Sequence, residues 1–126
     1  MYGIVWRVHV LAKHEAGARR VFGRVVAALG LPAKERSVER SWKIPEQYVI
    51  EFATPLNVAT PPEAVFQVML CVQQVGSGWS VLGPHGYDDG SWEFEMVCAV
   101  NASGRFRVPG VAWAHVSLEI RREAEA

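Results

Sequence analysis

The spacing of apolar residues changes period along this chain, and that change restricts the available folds more than any other feature. Over residues 2–11, Ile4, Trp6, Val8 and Val10 alternate with Arg7 and His9, the period of two that a half-buried strand requires. From His14 to Leu29 the period lengthens. Ala18, Val21, Phe22, Val25, Val26 and Leu29 fall on one helical stripe, with Arg19, Arg20 and Arg24 off it. Gly30 then offers a left-handed stop, Leu31 can fold back on the last turn and Pro32 bars continuation.

The alternation of periods continues. Residues 36–44 and 47–53 read as two strands joined around Pro45, with Tyr48, Ile50 and Phe52 on one face, Glu51 on the other and Pro55 as the stop. Thr60-Pro61-Pro62-Glu63 is a helix start, because threonine caps free N–H groups, proline suits the first turn and Glu63 completes a capping box. Val65, Val68, Met69 and Val72 carry that helix, and Gly76 and Gly78 are expected to end it. Residues 79–82 form a short apolar run before the loop GPHGYDDG. Trp92, Phe94, Met96, Cys98 and Val100 alternate with Glu93 and Glu95; after a turn at 101–104, Ala112 to Ile120 alternate with Trp113, His115, Ser117 and Glu119. The final RREAEA reads as a frayed, solvated tail.

The resulting order, β-α-β-β-α-β-β-β, predicts one α+β domain over residues 1–126. The expected form is a ferredoxin-like antiparallel sheet with two helices on one face and extra C-terminal strands. A chain of 126 residues with 50% hydrophobic and 21% charged residues has ample material for one core.

Composition narrows the function. Net charge is zero, so no general field holds a polyanion, and nucleic acid is not expected as a partner. No run approaches the roughly 18 apolar residues of a membrane span, and MYGIVWRVHV lacks the features of a signal peptide. Cys71 and Cys98 lie far apart in apolar segments, with no CxxC, and are expected reduced and buried. A cytoplasmic location follows from that reading, and the wealth of arginine, alanine and valine hints at a GC-rich bacterial genome.

Strand parity sorts the side chains. If both helices cover one face, that face takes Ile4, Trp6, Val8, Tyr48, Ile50, Phe52, Trp92, Phe94, Met96, Val116 and Leu118. The other takes Arg7, His9, Glu51, Glu93, Glu95, Trp113, His115, Ser117 and Glu119, an acidic set around one tryptophan. A solvated face is the plain alternative, but an aromatic amid charges is what a protein-recognition surface presents. Arg7, His9, Glu51, Glu93, Glu95, Trp113, His115 and Glu119 are therefore the expected partner-binding residues.

Other chemistry finds little support. His9, His115, Glu51 and Glu95 could converge on a metal, yet no HxH or HExxH spacing exists. Glu93 and Glu95 are roughly 7 Å apart by strand rise, but alternation alone generates such a pair. His85 to Gly90 has the composition of a turn rather than the ligand spacing of a calcium loop. There is no GxSxG, phosphate loop or dinucleotide fingerprint, and no catalytic residue or cofactor is expected. The function expected is a non-catalytic protein-binding module, in its most concrete form a bacterial immunity or inhibitor protein that blocks a basic toxin through the acidic face. The alternative is a dimeric ferredoxin-like α+β barrel that binds or transforms a small polar ligand; a homodimer is compatible with either.

Overall fold

The computed structural model describes residues 2–120; the C-terminal tail lies outside them. The chain runs β1 (Tyr2–Leu11), α1 (Glu15–Leu29), β2 (Lys34–Arg40), β3 (Gln47–Leu56), α2 (Pro61–Val72), β4 (Gly76–Ser77), β5 (Ser80–Gly86), β6 (Trp92–Ala99), β7 (Arg105–Phe106) and β8 (Val111–Ile120). Six strands form one antiparallel sheet in the order β2-β3-β1-β8-β6-β5, and β4 and β7 pair as a separate ribbon. The class is α+β, as the changing periods imply. No described helix is long and apolar enough to cross a membrane.

Local chemistry explains where the helices start and stop. His14 occupies the N-cap of α1, and Gly30 ends it at φ 65 with its N–H on the Val26 carbonyl. The Thr60 hydroxyl accepts the Glu63 N–H at 3.4 Å and so caps α2, with proline in the first turn. Both helices face the same side of the sheet. Ala18, Val21, Val25 and Leu29 of α1 and Ala64, Val68 and Val72 of α2 join Ile4, Trp6, Val8, Ile50, Phe52, Phe94, Met96 and Val116 in one core. Trp92 and Leu118 lie at its margin, partly buried.

Several boundaries differ from the sequence reading. β8, the last strand, does not extend the sheet outward: it sits beside β1, and β5 is the edge. β2 ends at Arg40, and Ser41 to Glu46 form the loop before β3. β3 runs through Pro55 to Leu56. Its pairing with β2 stops at Ala53, so a missing N–H beyond that point breaks no ladder bond on that side. α2 stops at Val72 without a glycine, and Gly76 belongs to a strand. β5 continues through Gly83-Pro84-His85, absorbing them in a register shift between Leu82 and His85, so only the second half of GPHGYDDG turns. There Asp89 Oδ1 accepts the Ser91 N–H at 2.9 Å and Gly90 has φ 85, the turn role its composition implies.

The β4–β7 ribbon closes the core at one end. The Trp79 indole N–H donates to the Gly76 carbonyl at 2.9 Å, and its ring stands edge-on to Trp6 and Phe106 at 6.5 Å from each. Cys98 is buried beneath the ribbon and donates to the Ser77 carbonyl at 3.3 Å. Cys71 is free but only partly buried, contrary to expectation, because it flanks the buried Val68–Val72 stripe of α2 rather than belonging to it. Desolvation pushes its thiol up to about 11, so it stays protonated near neutral pH and is a weak nucleophile.

Candidate functional site

With both helices on one face, the opposite face of the sheet is open, and the register arranges its residues in rows. Arg7 lies between Glu51 of β3 and His115 of β8, and His9 between Val49 and Trp113. Glu95 stands opposite Ser117, and Val97 opposite His115. Glu93 pairs with His85, and Glu119 with Gly3. All eight residues named from strand parity thus occupy this face, although they do not form one cluster.

Specific contacts tie them down. His115 Nε2 lies 2.8 Å from Glu95 Oε1, both side chains about one-third exposed or less. The ring of Trp113 packs edge-on to His9 at 4.7 Å and nearly parallel to His115 at 6.1 Å. It is therefore half-buried within an imidazole–indole–imidazole stack rather than projecting. The Tyr87 hydroxyl donates to Glu93 Oε1, which holds its proton above the ordinary phenol range.

Two cations on this face escape the sequence reading. Arg36 sits in the bulge of β2 and reaches across the sheet to Glu119, 3.2 Å away. Lys34 is opposite Ala53, which shares the parity of Glu51. Among the described residues, Lys34, Arg7 and Arg36 therefore stand against Glu39, Glu51, Glu93, Glu95 and Glu119. The face is of mixed charge, less acidic than parity alone implies, because edge strand β2 contributes residues whose side a bulge reassigns.

His9 titrates below the ordinary imidazole range, chiefly because burial disfavours its charged form and secondarily because Arg7 is near, while a hydrogen bond with Gln47 opposes the shift. The unfolded chain then takes up this proton first, near pH about 6.5. His9 thus supports the fold above that pH, and its support falls away as the pH drops toward the folded-state value. Urea midpoints measured at neutral and mildly acidic pH should show a smaller acid loss for His9→Gln than for the native protein.

The end of the face near His9 holds the most exposed apolar material. A groove of about 430 Å³ is lined by His9, Ile44, Gln47, Val100, Asn101, Ala112 and Trp113. Around that end Leu11, Ile44 and Val100 are each about half exposed, and Trp42, on the same loop as Ile44, is 86% exposed. The Lys43 ammonium lies 5.1 Å from the Trp42 ring centroid. Sequence reasoning missed Trp42 by placing it inside a strand. The signal available was the Ser-Trp-Lys-Ile-Pro stretch, whose proline and flanking polar residues suit a loop.

Of the four residues considered for a metal, the structure joins only His115 and Glu95. Among the described residues, no group of three or more His, Cys, Asp or Glu side chains is placed to hold an ion. Comparison with known proteins finds no matching family model, curated relative or solved structure, so the geometry of this face is what bears on function.

Proposed function

We propose that this protein is a non-catalytic module that recognises another protein through the open face of its sheet, at the end where Ile44, Val100 and Trp113 line a common groove. The observation that carries the reading is Trp42, 86% exposed on the loop that borders this groove. A tryptophan left in water is costly to keep soluble and is the side chain most often found as a binding anchor. Mixed charge around it suits a partner whose own surface alternates in sign. An inhibitor of the immunity type remains the most concrete form of such a module, since blocking a site needs a rigid scaffold and an anchored face rather than catalytic groups.

The scaffold is read as ferredoxin-like. The inner strand order β2-β3-β1-β8, with α1 following β1 and α2 following β3, supports that reading. The β5–β6 hairpin is then an insertion before the last strand.

The test is an affinity comparison with a partner captured on the native protein. Trp42→Ala and Trp113→Ala should each weaken binding by about 2 kcal/mol or more, as anchor truncations do. Trp42→Ala should leave the unfolding free energy within about 0.5 kcal/mol, since an exposed side chain contributes little to folding. Arg20→Glu and Arg24→Glu on α1 should leave affinity unchanged. Binding lost through those arginines and indifferent to both tryptophans would place the interface on the wrong side of the sheet.

One contact favours a second reading. The His115–Glu95 pair at 2.8 Å, with Arg7 opposite His115, is a donor–acceptor set suited to a small polar ligand held between two open faces. Native mass spectrometry that finds a small molecule retained by the protein and lost in His115→Ala would support it over protein recognition.

A further inference from the structure

The groove beside His9 draws on separate segments of the chain, and no Asp, Glu, Lys or Arg lines it. His9 comes from β1, Ile44 from the loop before β3, Gln47 from the start of β3, Val100 and Asn101 from the turn after β6, and Trp113 from β8. Its volume of about 430 Å³ lies in the range of roughly 300–1,000 Å³ typical of sites that enclose a small organic group. Charges of both signs flank the groove, Arg7 and Lys43 against Glu39 and Glu51, but none of them lines it. Burial, and secondarily Arg7, hold His9 below the ordinary imidazole range, so at neutral pH it is an uncharged group. Trp113 is fixed between His9 at 4.7 Å and His115 at 6.1 Å, so its ring needs little ordering when something packs on it. Gln47 is already engaged with His9. Among the described residues, nothing accepts the Trp113 indole N–H and nothing pairs with the exposed Asn101 side-chain amide.

We infer that the groove takes an uncharged aromatic side chain with a polar tip, a tyrosine of the partner protein, its ring against Ile44, Val100 and Trp113 and its hydroxyl toward Asn101 and the Trp113 N–H. This rests on the reading of the open face as a protein-recognition surface and names what enters it. The groove's own chemistry selects the occupant. A charged tip would be taken out of water with no opposite charge lining the site, which costs more than the groove returns. An aliphatic or phenyl group would cover the Trp113 N–H and the Asn101 amide and leave both without partners. An indole only donates, so it cannot accept from the Trp113 N–H, whereas a phenol both donates and accepts. A tyrosine ring also supplies the flat apolar area that packs on a fixed indole.

Titration of the full chain with N-acetyl-tyrosinamide at neutral pH, followed by NMR, tests it. The Trp113 indole N–H and the His9 ring should shift in a saturable way. N-acetyl-phenylalaninamide, which lacks only the hydroxyl, should bind roughly three-fold or more weakly. The para-carboxy and para-aminomethyl analogues, which place an anion or a cation at the same tip, should each bind roughly ten-fold or more weakly than the phenol. Asn101→Leu replaces an exposed side chain, so the variant should fold, and it should narrow the preference for the phenol over the phenyl probe. No saturable shift, either charged analogue binding as well as the phenol, or a preference unchanged in Asn101→Leu would each overturn the inference. These probes need no partner. If they fail while Trp42→Ala and Trp113→Ala still weaken the captured partner, the recognition reading stands and this inference falls. Partner affinity indifferent to both tryptophans would overturn the two together.

Discussion

Replacing Trp6 by alanine should lower the unfolding free energy by about 3–5 kcal/mol, the usual cost of emptying a large buried aromatic site. Trp6 is fully buried on the central strand β1, with its ring stacked on Phe52 at 5.5 Å and an interplanar angle of 5°. Trp79 approaches edge-on from the ribbon side, so the residue links the sheet to the β4–β7 closure. Its indole N–H donates to the Thr54 hydroxyl at 3.0 Å, and Thr54 is the one fully buried polar residue in the described core. Trp6→Phe should therefore cost more than its lost area, because the Thr54 hydroxyl is left without its donor at about 1–3 kcal/mol. Thr54→Val in the Trp6→Phe background should recover part of that loss. Urea titration of the four proteins closes the cycle; equal losses with and without Thr54→Val would show that the hydrogen bond contributes nothing. For a domain whose whole stability is about 5–15 kcal/mol, the alanine variant stands near the limit of folding.

The second large effect lies in the ribbon. Gly78→Ala should destabilise by about 2–4 kcal/mol, combining the cost of a left-handed residue with that of an overfilled contact. Gly78 sits at φ +77, and a Cβ there would come within 2.5 Å of the Ser103 carbonyl oxygen, which is main chain and cannot swing aside. Gly104 is constrained in the same corner by space alone, its Cβ position falling 2.5 Å from the Ala99 oxygen and 2.8 Å from the Cys98 sulfur. Gly23 supplies the opposite sign within the same experiment. It lies on the exposed side of α1 with open space where a Cβ would go, so Gly23→Ala should stabilise by about 0.5–1 kcal/mol through helix propensity. Thermal and urea unfolding of the glycine variants would separate the two mechanisms. A neutral Gly78→Ala would mean that the ribbon shifts freely and does not anchor the core.

The candidate site was legible where strand periodicity governs it and obscure where it does not. Placing Arg7, His9, Glu51, Glu93, Glu95, Trp113, His115 and Glu119 on one face requires only that side chains alternate, a property of each strand by itself. Which of them meet is a matter of register between strands far apart in sequence. The His115–Glu95 contact and the imidazole–indole stack come from β8 pairing with β1 on one side and β6 on the other. Arg36 was out of reach for a different reason, since a bulge inserts a residue and resets parity. Trp42 was hidden because its aromatic ring and Ile44 continue the composition of a strand, which outweighed the weaker loop signal of Ser41, Lys43 and Pro45 around them.

By itself, the amino-acid sequence determined the elements and their inward faces. The period of the apolar residues, the Thr60 cap and the Gly30 stop act over a few residues, within reach of local backbone sterics and hydrogen bonding. Only the tertiary structure decided that β8 takes the place beside β1 and that β5 is left at the edge, because strand order is set by competition among non-local pairings that no local pattern encodes. The same holds for the β4–β7 ribbon. Two residues on each side are too few to show a period, and they pair because Trp79, Phe106 and the buried Cys98 need that end of the core closed. Exposure followed from the same competition: β5, displaced to the rim, leaves Val81 and Leu82 in water, whereas Val116 and Ala114 of β8, drawn to the centre, are fully buried.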